Sequence, residues 1–192
     1  MTWCIERREI ETERLRLRPF TAADAPAIQA YVSDWDIARM TTRIPHPYPE
    51  GAAADWIASH ATSETKAGET IFCIARDGQP IGATSLRRRL PPAEESDVLE
   101  VGYWLARPHW GQGLATESTR ALLAYAFTEP RVSAVTSGHF ADNPASGRVL
   151  AKCGFRPTAN DEEWSEARQG LVGCRRFILE RAAWQAALDL AS

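Results

Sequence analysis

The sequence predicts a mixed α/β fold built around a central β-sheet, and two patterns support this prediction. Residues 70–86 form two apolar runs on either side of Asp77-Gly78, a dipeptide typical of a tight hairpin turn. The second half of the chain alternates strand-like and helix-like periodicity. Its predicted elements are a strand at 98–106, a helix at 114–127, a strand at 132–140 and a short helix at 144–154. We therefore expect antiparallel strands first, followed by a strand-helix-strand-helix unit.

The remaining elements follow from local signals. Residues 14–20 alternate charged and apolar side chains as a half-buried strand does. Thr21 can cap a helix that runs to about Ser33. The other predicted elements are an irregular, proline-dense segment at 35–50, a helix at 52–60, a solvated loop at 87–96, a strand at 174–180 and a terminal helix.

Composition and charge limit the classes of function. The 192 residues suffice for a sizeable core, and we expect a single domain over 1–192. A net charge of -3 offers no basic field for nucleic acid or an anionic membrane. The charged start of the chain resembles neither a signal peptide nor a membrane span. Four cysteines without a Cys-x-x-Cys pair disfavour a zinc site or a disulfide framework. A reduced, cytoplasmic protein without a metal is the expectation.

Two glycines one residue apart, Gly111 and Gly113, separate a predicted strand from a predicted helix. The first turn of a helix has N–H groups without partners, and a turn made of glycine lets a phosphate approach them. Taken alone, the two glycines fit a tight turn that permits close packing equally well. A P-loop is excluded because no lysine follows Gly113, and Thr116 replaces the third glycine of a dinucleotide fingerprint.

This glycine turn and a second segment, one strand later, resemble the acetyl-coenzyme A pocket of the GNAT N-acetyltransferases. The Q/R-x-x-G-x-G/A motif of that superfamily aligns with Trp110, Gly113 and Ala115. The motif N-x-x-A-x-x-L-Y-x-K-x-G-F aligns with residues 143–155. The resemblance covers most of the chain. It implies the GNAT fold, in which a twisted mixed sheet of about six to seven strands is flanked by helices and two splayed strands form the acetyl-CoA cleft.

The resemblance also assigns positions toward acetyl-CoA. It implies that the backbone N–H of Leu105 stabilises the oxyanion and that Asn143 either binds the pantetheine arm or begins the Asn-Pro turn. The cofactor-binding positions that it implies are Leu105, Arg107, Trp110, Gly111, Gln112, Gly113, Leu114, Ala115, Thr116, Asn143 and Ser146.

Two departures from the general motif indicate a branch of the superfamily. Trp110 stands where Gln or Arg is usual, and Leu150 occupies the position of the tyrosine that often protonates the thiolate. These features are similar to the RimJ/RimL branch of ribosomal-protein N-terminal acetyltransferases. In that branch, the serine at the position of Ser146 is implicated as the acid. Its alternative role here is to cap the short helix, and the two roles are compatible.

Glu100 is the candidate general base. It lies within an otherwise apolar strand, on the side of Val98, Gly102 and Trp104, where desolvation would raise its pKa toward neutrality. Without the resemblance, an exposed position on a half-solvated strand would be the preferred interpretation. The resemblance implies an acidic residue on this strand near the acceptor amine, with proton transfer possible through a water.

The acceptor side is assigned to the early irregular segment. Tyr31, Trp35 and Arg39 are the candidate substrate-binding residues, although aromatic side chains in this segment can also belong to the core. The arginines at 87–89 could contact an acidic acceptor or a phosphate, but a solvated loop is the preferred interpretation. His109 is interpreted as a surface or packing residue.

These inferences predict an acetyl-CoA-dependent N-acetyltransferase that works by direct transfer, without a covalent enzyme intermediate and without a metal. The preferred acceptor is a protein N-terminus, because an α-amine loses its proton more easily than a lysine does. Acetylation of a small-molecule amine, a noncatalytic acyl-CoA-binding module and a scaffold that keeps only the fold are the alternatives. Stable partners in the form of nucleic acid or membrane are not expected, and both a monomer and a homodimer are compatible with the composition.

Overall fold

One β-sheet organises the protein. The computed structural model describes residues 9–66, 68–88 and 97–190, and only the backbone of 61–66. The strands, in chain order, are β1 (Ile10–Glu11), β2 (Arg16–Arg18), β3 (Glu69–Arg76), β4 (Gln79–Arg88), β5 (Asp97–Leu105), β6 (Val132–Phe140), β7 (Arg156–Ser165) and β8 (Gly170–Glu180). Their order in the sheet is β1-β2-β3-β4-β5-β6-β8-β7. Every neighbouring pair is antiparallel except β5 and β6, which are parallel.

Helices cover both faces of the sheet. They are α1 (Ala25–Val32), α2 (Trp35–Ala38), α3 (Ala52–Lys66), α4 (Leu114–Ala126), α5 (Pro144–Lys152) and α6 (Arg181–Asp189). The predicted strand-helix-strand-helix unit is confirmed as β5, α4, β6 and α5. The hairpin is confirmed too, since Asp77 (φ 50°) and Gly78 (φ 79°) both adopt the left-handed conformation that a tight turn between β3 and β4 requires.

Alternating side chains of the strands divide the core into two clusters. Leu99, Val101 and Leu105 of β5 pack with α4 and α5, and we call this side of the sheet the α4/α5 face. Ile71 and Ala83, from β3 and β4, pack with α1 and α3 on the α1/α3 face. The alternation along β5 therefore places Glu100, like Trp104, on the α1/α3 face.

The predicted sheet of six to seven strands has eight in the described part of the chain. The sequence did not predict β1, which has two residues, or β7. Nearly every side chain of β7 is exposed, so this edge strand lacks the apolar alternation by which strands are found.

Three local predictions need correction. The helix at 52–60 extends to residue 66, and the irregular segment 35–50 begins with the short helix α2. Arg87 and Arg88 belong to β4 rather than to a solvated loop, and residues 89–96 of that predicted loop lie outside the described residues. At the end of β4, the Arg88 guanidinium forms an ion pair with the buried Asp97 of β5 at 2.5 Å.

Three of the four cysteines belong to the described residues. Cys73, Cys153 and Cys174 are buried free thiols, and Cys4 lies outside the described residues. Within the described ranges, no helix has the length and hydropathy to cross a membrane. The same part of the chain contains no group of three or more His, Cys, Asp or Glu that could hold a metal ion.

Candidate active site

A gap between β5 and β6 forms the centre of the candidate site. The two strands pair from Asp97–Val132 as far as Glu100–Thr136, and the paired register ends there. Beyond it, the Ser137 hydroxyl donates to the Val101 carbonyl at 2.9 Å. The remaining residues of β5, up to Leu105, have no register partner in β6.

The backbone N–H of Leu105 points toward this gap. Ala106 N donates to Ile81 O of β4 at 2.8 Å, so the alternation of an antiparallel pair turns the polar groups of Leu105 away from β4. The carbonyls of Val101 and Leu105 confirm this direction, because both accept hydrogen bonds from groups outside β4. The Leu105 N–H therefore points away from β4, on the side of the gap.

Gly82 allows the end of β5 to lie close to β4. A Cβ atom at Gly82 would meet the Trp104 carbonyl oxygen at 2.2 Å and the Leu105 Cα at 3.0 Å. Contacts this short are forbidden, so a side chain at this position would push Leu105 out of place. Gly82 is a residue on which the gap depends and which sequence reasoning did not single out.

The glycine turn after β5 has the geometry of an anion cradle. Gly111 (φ 74°) and Gly113 (φ 79°) are left-handed, and a Cβ atom on Gly111 would have no neighbour within 4 Å. Gly113 is the N-cap of α4, whose first-turn N–H groups belong to Leu114, Ala115 and Thr116. Exposed donors, the helix dipole and glycine at the mouth together favour a phosphate here.

Hydrogen bonds of two of its own side chains, one of them with Arg76 of β3, brace this turn. The Trp110 indole Nε1 donates to the Leu105 carbonyl at 2.7 Å. The Gln112 side chain accepts from Arg76 at 2.8 Å and donates to the Pro108 carbonyl at 2.9 Å. Two of the predicted cofactor-binding side chains, Trp110 and Gln112, therefore hold the shape of the turn.

Arg107 is engaged away from the turn. Its guanidinium pairs with Asp34 and Asp36, each at 2.9 Å. Asp36 in turn pairs with Arg39 of the segment after α2 at 3.0 Å. Arg107 was expected at the cofactor, but its contacts join the end of β5 to the acceptor-side helix α2.

Glu100 lies on the α1/α3 face, beside the end of the paired register, but in charged surroundings. Arg87 donates to its Oε2 at 2.9 Å, and the Glu100 side chain is 23% exposed. The expected apolar environment was wrong, because the cross-strand partner came from a segment that was predicted to be a loop. Glu100 is thus a carboxylate held by one arginine and open to solvent.

A second carboxylate, Glu69, flanks the same arginine. Register places Glu69 opposite Arg87 on β3 and β4, and Arg87 opposite Glu100. Glu69 is 5% exposed and accepts two hydrogen bonds from Arg43, at 3.0 and 2.6 Å, and one from Ser85 at 3.2 Å. Burial opposes ionisation of this carboxyl, yet the hydrogen bonds from Arg43 lower its pKa.

Ser146 and Asn143 lie at the start of α5. Asn143, not Ser146, caps this helix, since its Oδ1 accepts from the Ser146 backbone N at 3.2 Å. The Ser146 hydroxyl lies 2.8 Å from the hydroxyl of Tyr103. Leu150, at the position of the usual tyrosine, is fully buried. Tyr103 is the main site residue that sequence reasoning missed; a polar aromatic side chain on the core-facing side of a strand was the available signal.

The predicted acceptor residues are separated by the structure. A cavity of about 560 Å³ lies between α1, α2 and the glycine turn. Its lining consists of Tyr31, Asp34, Ile37, Arg107, Pro108 and Trp110. Trp35 is exposed and packs edge-on against His46, while Arg39 pairs with Asp36. Tyr31 is thus the one of the three candidates that lines this cavity.

The turn between β7 and β8 is fastened to the segment after α2. Glu166 N donates to Thr42 O at 2.9 Å, and Arg168 Nε donates to Arg39 O at 2.8 Å. Arg168 also pairs with Asp142, between β6 and α5, at 2.9 Å. These contacts connect the acceptor-side segment to the loop that leads into Ser146.

Comparisons with known proteins agree with this geometry. The chain matches the acetyltransferase (GNAT) domain family over residues 14–156. It is 25% identical over 170 residues to the uncharacterized N-acetyltransferase p20 of Bacillus licheniformis, covering 88% of this chain and 93% of p20. It is 31% identical over 147 residues to the uncharacterized N-acetyltransferase YoaA of Bacillus subtilis, covering 77% and 82%.

Solved structures share the fold. One of them is RimL, described as a ribosomal L7/L12 alpha-N-protein acetyltransferase in complex with coenzyme A. It superimposes with a TM-score of 0.77 at 16% identity, covering 92% of this chain and 99% of that chain.

Proposed function

The chain belongs to the GNAT family of acetyltransferases, and we propose that it transfers the acetyl group of acetyl-CoA to the α-amine of a protein N-terminus. The similarity to RimL, which acts on a protein α-amine, supports this acceptor class. The use of a single carboxylate as the base also supports this acceptor class. Deprotonating a lysine at neutral pH costs about 3 kcal/mol more than deprotonating an α-amine, because their pKa values are about 10.4 and 8.

The glycine turn fits the diphosphate of acetyl-CoA. The open space at Gly111 and the N–H groups at the start of α4 form a cradle that a Cβ atom would narrow. The backbone N–H groups of Gly113, Leu114 and Ala115 would hold the phosphates. Bound acetyl-CoA supplies an activated thioester, whose acetyl carbon is open to attack by an amine and whose sulfur leaves as a thiolate.

Groups of the chain on the two faces of the sheet then accept and donate the protons of the reaction. Glu100, on the α1/α3 face, accepts a proton from the amine, directly or through a water. The Leu105 N–H, in the gap, donates to the oxygen on which negative charge develops. Ser146, on the α4/α5 face, gives its proton to the sulfur and regains one from solvent, into which Glu100 releases the proton that it accepted. The proposal rests on the positions of these three groups: Glu100 lies on one face of the sheet, the Leu105 N–H at the gap and Ser146 on the other face.

Arg87 bears on the role of Glu100. Its hydrogen bond occupies Oε2 and leaves Oε1 as the oxygen for the incoming amine.

Acetylation of peptides tests the acceptor class. We expect the protein, supplied with acetyl-CoA, to add about 42 Da, the mass of an acetyl group less the hydrogen that it replaces, to a peptide with a free α-amine. A matched peptide whose α-amine is blocked and whose only amine is a lysine should react at least about tenfold more slowly. Preferential reaction of small polyamines or amino-acid derivatives would favour a small-molecule acceptor instead.

A variant of the base tests catalysis itself. Glu100→Gln keeps the size and the contact with Arg87 but cannot accept a proton, so we expect kcat to fall about a hundredfold or more. Glu162→Gln, on the exposed strand β7, is the matched control. Acetyl-CoA binding by calorimetry without any acetylation by the parent protein would indicate a noncatalytic binding module. Absence of binding would indicate a scaffold.

A further inference from the structure

Tyr103 and Ser146 come from different elements and meet on the α4/α5 face. Tyr103 lies on β5, beyond Glu100, the last residue of that strand with a register partner in β6. Ser146 lies in the first turn of α5. Their hydroxyl oxygens are 2.8 Å apart, and the Ser146 carbonyl oxygen, 3.2 Å from the Tyr103 hydroxyl, is a second and more distant acceptor for its single proton. A residue of the splayed strand therefore holds the side chain to which the acid role is assigned.

The direction of the hydroxyl contact decides what Ser146 can do. If Ser146 donated to Tyr103, its only proton would be used up and none would be left for a leaving group. If Tyr103 donates, the serine proton is free to point elsewhere. Of the Ser146 main-chain groups, the carbonyl competes for the phenol proton only at the longer distance of 3.2 Å, and the N–H donates to Asn143 instead.

The distances around Tyr103 favour the second direction, because the Ser146 hydroxyl oxygen is nearer to the phenol oxygen than the Ser146 carbonyl oxygen is. The Tyr103 ring packs against the buried core of the α4/α5 face, and this desolvation raises the pKa of the phenol well above its usual range. The phenol therefore keeps the proton that it donates. It is also a poor source of a transferable proton, so its role is to orient Ser146 and not to replace it.

We propose that Tyr103 is a positioning residue that donates to the Ser146 hydroxyl and thereby directs the serine proton into the gap, toward the sulfur of an acyl-CoA donor. This inference rests on the proposed acetyltransferase function and deepens it. Leaving-group departure would thus depend on a residue of β5, the strand that also provides Glu100 and the Leu105 N–H.

A double-mutant cycle tests the coupling. Tyr103→Phe, Ser146→Ala and the double variant are compared with the parent by release of CoA thiol, with acetyl-CoA and a peptide bearing a free α-amine. We expect kcat to fall about tenfold in each single variant and no further in the double variant, because both remove the same hydrogen-bonded unit. The KM for acetyl-CoA should change less than about twofold, because this inference assigns both hydroxyls to departure of the sulfur, although the resemblance also implies Ser146 among the cofactor-binding positions.

Tyr125→Phe is the matched control. This tyrosine packs against Phe72 in the same core cluster, outside the gap, so its substitution should leave kcat unchanged. Ser146→Thr keeps a hydroxyl and should retain more activity than Ser146→Ala.

The following outcomes would overturn the inference. The losses in kcat could multiply in the double variant; Tyr103→Phe could raise KM alone; or the Tyr103→Phe effect could be matched by Tyr125→Phe, as general loosening of the core predicts. Failure of the parent protein to acetylate any amine would instead overturn the proposed function. An active parent with an unaffected Tyr103→Phe variant would overturn this inference alone.

Discussion

The indole nitrogen of Trp110 lies 2.7 Å from the carbonyl oxygen of Leu105, so the start of the glycine turn is tied to the end of β5. The same residue, Leu105, directs its N–H into the gap. One hydrogen bond therefore fixes the distance between the phosphate cradle and the proposed oxyanion donor. Trp110 stands where the general motif has Gln or Arg, and like them it has a side-chain N–H that can donate a hydrogen bond.

Replacing Trp110 by Phe removes this donor and keeps an aromatic ring. We expect acetyl-CoA to bind about fivefold more weakly, the equivalent of the roughly 1 kcal/mol that such a hydrogen bond contributes. Isothermal titration measures the affinity. Trp164→Phe, which changes a similarly exposed indole on β7, should bind acetyl-CoA as the parent does. Equal affinities for all three proteins would exclude a role for the Trp110 contact in shaping the cradle.

Replacing Gly113 by Ala separates backbone strain from phosphate binding. Gly113 and Gly78 share a φ of 79°, and an alanine at either position costs about 1 kcal/mol of strain. We expect both variants to lose a similar few degrees of thermal stability. Only Gly113→Ala should also weaken acetyl-CoA binding, by about tenfold, because its methyl group, 3.6 Å from Arg14, lies on a residue whose N–H is proposed to hold a phosphate. Weaker binding by Gly78→Ala as well would attribute the loss to strain rather than to the phosphate.

The ion pair of Glu69 predicts how stability responds to acid. Burial opposes the charge on Glu69, but the hydrogen bonds from Arg43 give this carboxyl a lower pKa in the folded protein than in the unfolded chain. Its contribution to the free energy of unfolding is therefore present above the unfolded pKa of about 4.3 and is lost as the pH falls further. Urea titrations between pH about 7 and 3 should show a shallower acid loss for Glu69→Gln than for the parent.

Glu162→Gln, at an exposed carboxyl of β7, serves as the control and should keep the slope of the parent. A Glu69→Gln protein with the full acid dependence of the parent would contradict the assignment of this dependence to Glu69.

Sequence reasoning found the parts of the site that leave a periodic or positional signal. The alternation of β5 and β6, the helical spacing of α4 and the glycines at 111 and 113 are local features, and the structure confirms the elements that they predict. Strand β7 was missed because its charged, exposed residues bury neither face, so that it has no apolar period.

Contacts between distant residues were beyond the reach of local patterns. Tyr103 and Ser146 are 43 positions apart, and nothing in either segment signals the other. The environment of Glu100 was wrong for a related reason: its partner Arg87 comes from the neighbouring strand, whose end is polar and was interpreted as a loop. A charged pair across two strands leaves no apolar alternation in the sequence, so the strand end that carries it is not predicted as a strand.

The location of Glu100 and Ser146 on opposite faces of one sheet has a consequence for inhibitors and for kinetics. Two reactants that arrive from opposite sides do not compete for the same surface, so a ternary complex can form in either order and neither reactant should act as a competitive inhibitor of the other. A compound that joins an amine to coenzyme A by a short linker would have to thread between β5 and β6. The affinity for such a compound would then depend on the length and bulk of the linker inside the gap between β5 and β6, and less on the shape of the two faces of the sheet.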